Sequence, residues 1–377
     1  MENRASKSKT TSAAGTDLHF PLDAIDTPAL LVDLDVFEKN MATIVARCAE
    51  AGVAWRPHCK SHKCPEIARL QIAAGAIGVT CSKLAEAEAM AEAGITDILI
   101  ANQIVGPLKI ARLMLLRQRA DVIVSVDSAT NVYALNEAAR QSDQQLRVVI
   151  EVNCGMDRAG VTPGDEVVAL AKRIAAAGAL QFAGLMTWEG HTTRIADKNE
   201  KRRAIEAALA VVTKSADACR SAGLPVAIVS CGGTGTFETA AAVPGVTEIQ
   251  AGGGVFGDVH YRELYHVPVG YGLTVLSTVT SRPTDKRIIC DAGKKAMSDD
   301  AGAPFPLDLP NVASQKLSAE HGTISLASPS ASPGIGDLVR FVVGYSDTTV
   351  HLHDELYAVR DGQVERVWRI PRSARLR

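Results

Sequence analysis

Between residues 50 and 265, short β-branched apolar runs alternate with Ala-rich amphipathic stretches. The apolar runs fall at 53–58, 77–81, 97–101, 122–126, 147–152, 181–187, 226–230 and 246–251, and each predicts a buried strand. Residues 84–93, 166–177 and 201–222 carry apolar positions at helical spacing between them. Strict alternation of strand and helix predicts right-handed βαβ units and a parallel sheet. Eight such units are the content of a closed (β/α)8 TIM barrel. A doubly wound open sheet is the alternative.

The pattern changes after residue 266. Strand-like runs recur at 274–280, 287–290, 338–343 and 357–360 with no long helix between them. Pro304, Pro306, Pro310, Pro333, Gly334 and Gly336 punctuate the region, which predicts a mostly antiparallel β domain. A further strand at 29–34 precedes the barrel. The expected organisation is a flexible tail at 1–18, an N-terminal strand packing with the β domain at 19–35, the barrel at 36–265 and the β domain at 266–377.

Composition narrows the function classes. The chain is 47% hydrophobic, with a formal charge of -2 and no long basic block, so neither nucleic acid nor an anionic membrane surface is an expected partner. No apolar run approaches the ~20 residues of a membrane span. The Ser-, Thr- and Lys-rich start has no apolar signal region, so a cytoplasmic location is expected. Eight cysteines are scattered without a C-x-x-C pair. They read as reduced, buried thiols, with a disulfide framework or zinc cluster as the alternative.

Barrel chemistry collects where strands end. Gly232-Gly233-Thr234-Gly235-Thr236 follows the seventh strand and Gly252-Gly253-Gly254 the eighth. Bare amides in such turns suit a phosphate, with Thr234 or Thr236 adding a hydroxyl; the alternative is that the glycines only make tight turns. Lys60 closes the first strand, where a lysine can condense with an aldehyde whose phosphate is anchored across the mouth. Lys63 lies further along and is expected to be solvated. Arg158, after the fifth strand, is a candidate to face a pyridine nitrogen and keep it unprotonated; the alternative is a loop ion pair with Asp157.

The run Arg56-Pro57-His58-Cys59-Lys60-Ser61-His62-Lys63 resembles the lysine segment of bacterial D-threonine aldolases. Related families are the 3-hydroxy-D-aspartate aldolases and the eukaryotic-type D-serine dehydratases, all with an alanine-racemase-like, fold-type III architecture. The likeness continues through 154–161, 232–236, Asp258, 291–293, 320–322 and 352–354. It implies pyridoxal 5'-phosphate as cofactor, Lys60 as its Schiff-base lysine and Arg158 as the partner of the ring nitrogen. The phosphate would lie against Gly233, Thr234, Gly235, Gly252 and Gly253. It also implies a homodimer and a small amino-acid substrate.

Two departures from the family pattern stand out. Its divalent-metal ligands, a His and an Asp or Cys two residues later, align with Tyr345-Ser346-Asp347, so Asp347 is the one charged ligand left in the triplet. His351 and His353, on one face of a strand, are an alternative pair. After the sixth strand Trp188 replaces a stacking tyrosine and Arg194 the usual base, leaving His191 or Glu189 to serve. The implied activity is retro-aldol cleavage of a β-hydroxy-D-amino acid. The alternatives are a D-amino-acid dehydratase or racemase, a non-catalytic cofactor carrier, or a phosphate-sugar barrel enzyme without cofactor.

Overall fold

The structure is a computed structural model and describes residues 19–374 and Leu376. The tail expected at 1–18 lies outside the described residues. Strand β1 (Ala29–Asp33) runs into helix α1 (Leu34–Ala51), which Asp33 caps by accepting from the Val36 amide at 3.0 Å. The barrel strands follow: β2 (Ala54–Trp55), β3 (Val79–Cys81), β4 (Asp97–Gln103), β5 (Asp121–Val126), β6 (Leu146–Glu151), β7 (Leu180–Met186), β8 (Ile228–Cys231) and β9 (Glu248–Ile249).

All eight pair in parallel, in the order β2-β9-β8-β7-β6-β5-β4-β3. The ends of that order meet. The Ile77 amide donates to Trp55 O at 2.9 Å, the Thr80 amide to Pro57 O at 2.8 Å, and His58 bridges Thr80 in parallel. The sheet is therefore the expected closed barrel and not an open one. Its strands alternate faces. Leu99, Ile123, Val149, Ala183 and Ile228 fill the interior, while Ile98, Val122, Val148 and Val229 face the helical shell. The first strand is shorter than its apolar run. Pro57 has no amide hydrogen, so the regular ladder stops before it.

The longer strands that follow are β10 (Leu273–Thr284), β11 (Arg287–Cys290), β12 (Val312–Leu317), β13 (Gly322–Leu326), β14 (Leu338–Val342), β15 (Glu355–Arg360) and β16 (Gln363–Arg369), with two-residue strands at Phe20–Pro21 and Phe305–Pro306 pairing β16 and β14 respectively. They form a second sheet, antiparallel except where β15 runs parallel to β1. β1 lies inside this sheet, between β10 and β15. β12, β13 and β16 do not stand out as apolar runs because one face of each is wet. The β15–β16 hairpin turns on Asp361-Gly362, both in the left-handed region that a tight hairpin requires.

Phe37 of α1 joins the two layers. Its ring lies 6.2 Å from that of Phe256 at the barrel mouth and 6.0 Å from Trp368 of β16. This packing holds the second sheet over the C-terminal ends of the barrel strands. The residues after β14 form a short helix, Ser346–Thr349, and a turn, Val350–Leu352. His351 and His353 are thus not on a strand as expected. All eight cysteines are buried and unpaired. Among the described residues no helix is long and apolar enough to cross a membrane.

Candidate active site

A cavity of about 490 Å³ opens at the C-terminal ends of the barrel strands. Lys60 enters it from the turn Cys59–Ser61, whose start is capped by His58 Nδ1 accepting from the Lys60 amide at 3.3 Å. Lys60 Nζ sits 2.9 Å from Asp347 Oδ2. That carboxylate belongs to the short helix after β14, and its other oxygen accepts from the Tyr261 hydroxyl at 3.3 Å. Asp347 raises the Lys60 pKa, outweighing burial, which acts the other way. Burial opposes ionisation of Asp347, but the Lys60 ammonium and the Tyr345 phenol together hold its carboxyl below the ordinary range.

Lys63 departs from expectation. It is not solvated: its Nζ lies 3.0 Å from the fully buried Glu86 and donates to Ala374 O at 3.2 Å. Glu86 also accepts from the amide and hydroxyl of Ser82, at 2.6 and 2.7 Å. Lys63 sits at positive φ, and its Nζ ends at Glu86, not among the residues that line the cavity.

The wall facing Lys60 is made of the two glycine turns. Gly232 sits at φ +74°, in the left-handed region, and reverses the chain after β8. The amides of Gly233, Thr234, Gly235, Gly252 and Gly253 have no hydrogen-bond partner among the described residues. Thr234 Oγ1 accepts from the Gly254 amide at 2.9 Å, which leaves its own proton to donate. The turns are close-fitted as well. A Cβ on Gly233 would lie 2.4 Å from the Trp188 ring, and one on Gly252 would lie 2.1 Å from His58 O. Free amides, a free hydroxyl proton and no room for side chains fit a bound phosphate.

Arg158 lines the opposite side, more than half exposed, and pairs with Glu151 at 3.5 Å. Gln103 Nε2 fixes that glutamate at 2.7 Å. Asp157, the alternative partner, accepts instead from Asn153 at 2.8 Å. Trp188 lines the cavity with its ring against Gly233. His191 does not line it: the ring is exposed at the rim, 3.3 Å from where a Gly155 Cβ would stand. Glu189 is fully buried behind the glycine turn, where Thr236 donates to one oxygen and the other has no partner among the described residues. Burial raises its pKa, and it does not reach the cavity.

Three tyrosines complete the lining, Tyr261, Tyr265 and Tyr345. Neither Tyr261 nor Tyr265 was a candidate from sequence, because both lie past the last barrel strand run at 246–251. The pairing of two tyrosines four apart just after Asp258 is the signal the sequence carried. Asp258 is fully buried and accepts from the amides of Tyr261 at 2.7 Å and Ser346 at 2.6 Å, tying both segments together. Desolvation lifts its pKa to about 7.

The metal expectation meets a poor donor set. Among the described residues no three His, Cys, Asp or Glu side chains are grouped to hold a cation. Asp347 already faces an ammonium, and His353 Nε2 is engaged with Ala296 O at 2.6 Å. A divalent cation held by several hard donors does not fit this arrangement.

A profile for the alanine racemase N-terminal domain matches residues 32–260, more than half of the chain. The chain belongs to this family. Residues 272–359 match a serine dehydratase domain. Among curated relatives, a D-threonine aldolase of an Arthrobacter species is 37% identical over 353 residues, covering 93% of each chain. A 3-hydroxy-D-aspartate aldolase of Paracoccus denitrificans is 35% identical over 363 residues, 93% of this chain and 92% of that one. Among solved structures, a D-threonine aldolase from Filomicrobium marinum superposes with a TM-score of 0.90 at 37% identity, covering 96% of this chain and 99% of its own. The family depends on pyridoxal phosphate, and this member is an enzyme with an alanine-racemase-like fold.

Proposed function

We propose that the chain is a lyase that cleaves the Cα–Cβ bond of a β-hydroxy-D-amino acid, releasing glycine or another small amino acid and an aldehyde. One observation carries the reading: Lys60 Nζ and the two turns of free amides line a single cavity in a chain whose full-length relatives bear aldolase names. When bound, pyridoxal phosphate supplies the sink for the electron pair left on Cα.

The chain's own residues have distinct tasks in this proposal. Lys60 Nζ carries the cofactor and handles the proton near Cα. The amides of Gly233, Thr234, Gly235, Gly252 and Gly253, with the Thr234 hydroxyl, hold the phosphate. Trp188 packs against the cofactor ring, and Arg158 faces its nitrogen. Arginine keeps that nitrogen unprotonated, which tempers the sink. Asp347 holds Lys60 as an ammonium while the cofactor is absent. The donor set supports operation without a divalent ion. We further propose a cytoplasmic homodimer. Sedimentation of the active protein tests the dimer.

The deciding experiment incubates purified, cofactor-loaded protein with D- and L-isomers of β-hydroxy amino acids. Aldehyde released from D-isomers supports the proposal. A 2-ketoacid with ammonia supports the second reading, a dehydratase, which the match of residues 272–359 favours. Loss of optical activity with no fragment marks a racemase.

A further inference from the structure

Tyr345 is the residue at which this chain parts from its family's metal-ligand pattern, and the structure shows what it does instead. Its ring lines the cavity beside Lys60. It is clamped by His260, centroids 4.4 Å apart, and by Tyr261 at 5.7 Å. His260 is itself fixed by Tyr265 at 4.3 Å and by Ala301 O at 2.7 Å. On the chain side, the Ser346 amide is anchored to buried Asp258. The phenol therefore has little freedom, and it points toward the carboxylate that pairs with Lys60. A phenol ionises near pH ~10, so at neutral pH this one carries its proton. A fixed neutral phenol is a hydrogen-bond donor.

In the cofactor-free protein the one phenol proton faces Asp347; we propose that with substrate bound the Tyr345 O–H turns to donate instead to the β-oxygen of the substrate, and so takes the place of a divalent cation at the bond being cleaved. The inference rests on the lyase reading above. As the Cα–Cβ bond breaks, its electron pair stays on Cα. The β-oxygen loses its proton to Lys60 Nζ, and the O–H pair becomes the second bond of the aldehyde carbonyl. Lys60 Nζ then returns a proton to Cα, so protons and electrons balance without a co-reactant. The Tyr345 proton stays on its phenol throughout. It stabilises the negative charge that builds on the oxygen, as a preorganised donor does.

The test compares the cofactor-loaded wild type with Tyr345→Phe and Tyr345→His. Two readouts accompany turnover: exchange of the glycine α-hydrogen in heavy water, followed by NMR, and binding of manganese chloride, followed by calorimetry. Removing one such donor typically costs about 100-fold or more in turnover. Tyr345→Phe is thus expected to lose about that factor in aldehyde release and clearly less in glycine exchange, which involves no β-oxygen and reads only the Asp347–Lys60 side of the contact. The wild type is expected to bind no manganese and to keep its activity after chelation. Tyr345→His, which places an imidazole two residues before Asp347, is expected to gain manganese binding. Equal aldehyde release by Tyr345→Phe and wild type overturns the inference and leaves the lyase reading standing. So does a wild type that chelation silences and manganese restores. A wild type that exchanges glycine but cleaves no β-hydroxy-D-amino acid overturns the lyase reading, and this inference with it.

Discussion

Lys60 Nζ rests 2.9 Å from the carboxylate of Asp347, so the end of the first barrel strand is tied to the short helix that follows the second sheet's β14. The contact explains why one of two neighbouring lysines is poised in the cavity. Lys60 meets a carboxylate on the cavity wall, whereas Lys63 meets one in the protein interior, Glu86.

The two lysines should separate cleanly on substitution. Lys60→Ala is expected to abolish the visible absorbance of protein-bound cofactor. Lys63→Ala is expected to keep that absorbance but to lose stability, because Glu86 is left buried and unpaired. Breaking such a pair costs about 3–5 kcal/mol. Absorbance spectra and denaturant titrations of both variants check this. Loss of the band in the Lys63 variant alone would reverse the assignment.

Gly233→Ala tests the fit of the phosphate wall. The added methyl would lie 2.4 Å from the Trp188 ring, so the indole or the turn must shift. Cofactor affinity is expected to fall at least tenfold, about 1.4 kcal/mol. Equilibrium dialysis against pyridoxal phosphate measures it. An unchanged affinity would mean that the turn does not hold the phosphate.

A dependence on pH follows from His58. Burial, and then the Lys60 ammonium, push its pKa down to about 3. The unfolded chain binds a proton at this residue below the ordinary value near ~6.5, while the folded protein does not. The unfolded state therefore holds more protons between those limits, and stability falls as pH drops through the window. For the cofactor-free protein, the denaturant midpoint should decline from pH 7.5 to pH 5 (chosen to span about the upper half of the window). His58→Asn should flatten that decline. A slope unchanged in the variant would remove His58 as its source.

His191 is exposed at the rim and outside the cavity lining. His191→Ala is accordingly expected to reduce turnover by less than about tenfold, short of the ~100-fold or more that positioned proton transfer contributes. Steady-state kinetics of aldehyde release decide it. A loss of 1,000-fold or so would instead make His191 the group that takes the hydroxyl proton.

The alternation of apolar runs and amphipathic stretches was enough to read the barrel, and the glycine pairs after β8 and β9 marked one wall of the cavity. These features are local. Strand periodicity, a proline that ends a ladder and a turn that admits only glycine are settled by neighbours along the chain. The tyrosines packed against those turns, and the carboxylate beside Lys60, were not legible in this way. Tyr261, Tyr265, Tyr345 and Asp347 come from segments brought together by Asp258 and by the packing of Phe37 between the two layers. Position along the strand separated Lys60 from Lys63, but the sequence placed Lys63 in solvent and did not show its buried partner Glu86, nor that Glu189 turns into the interior while His191 stays outside. A charged side chain goes where burial and a partner together lower its free energy, and that partner was supplied only when distant elements packed.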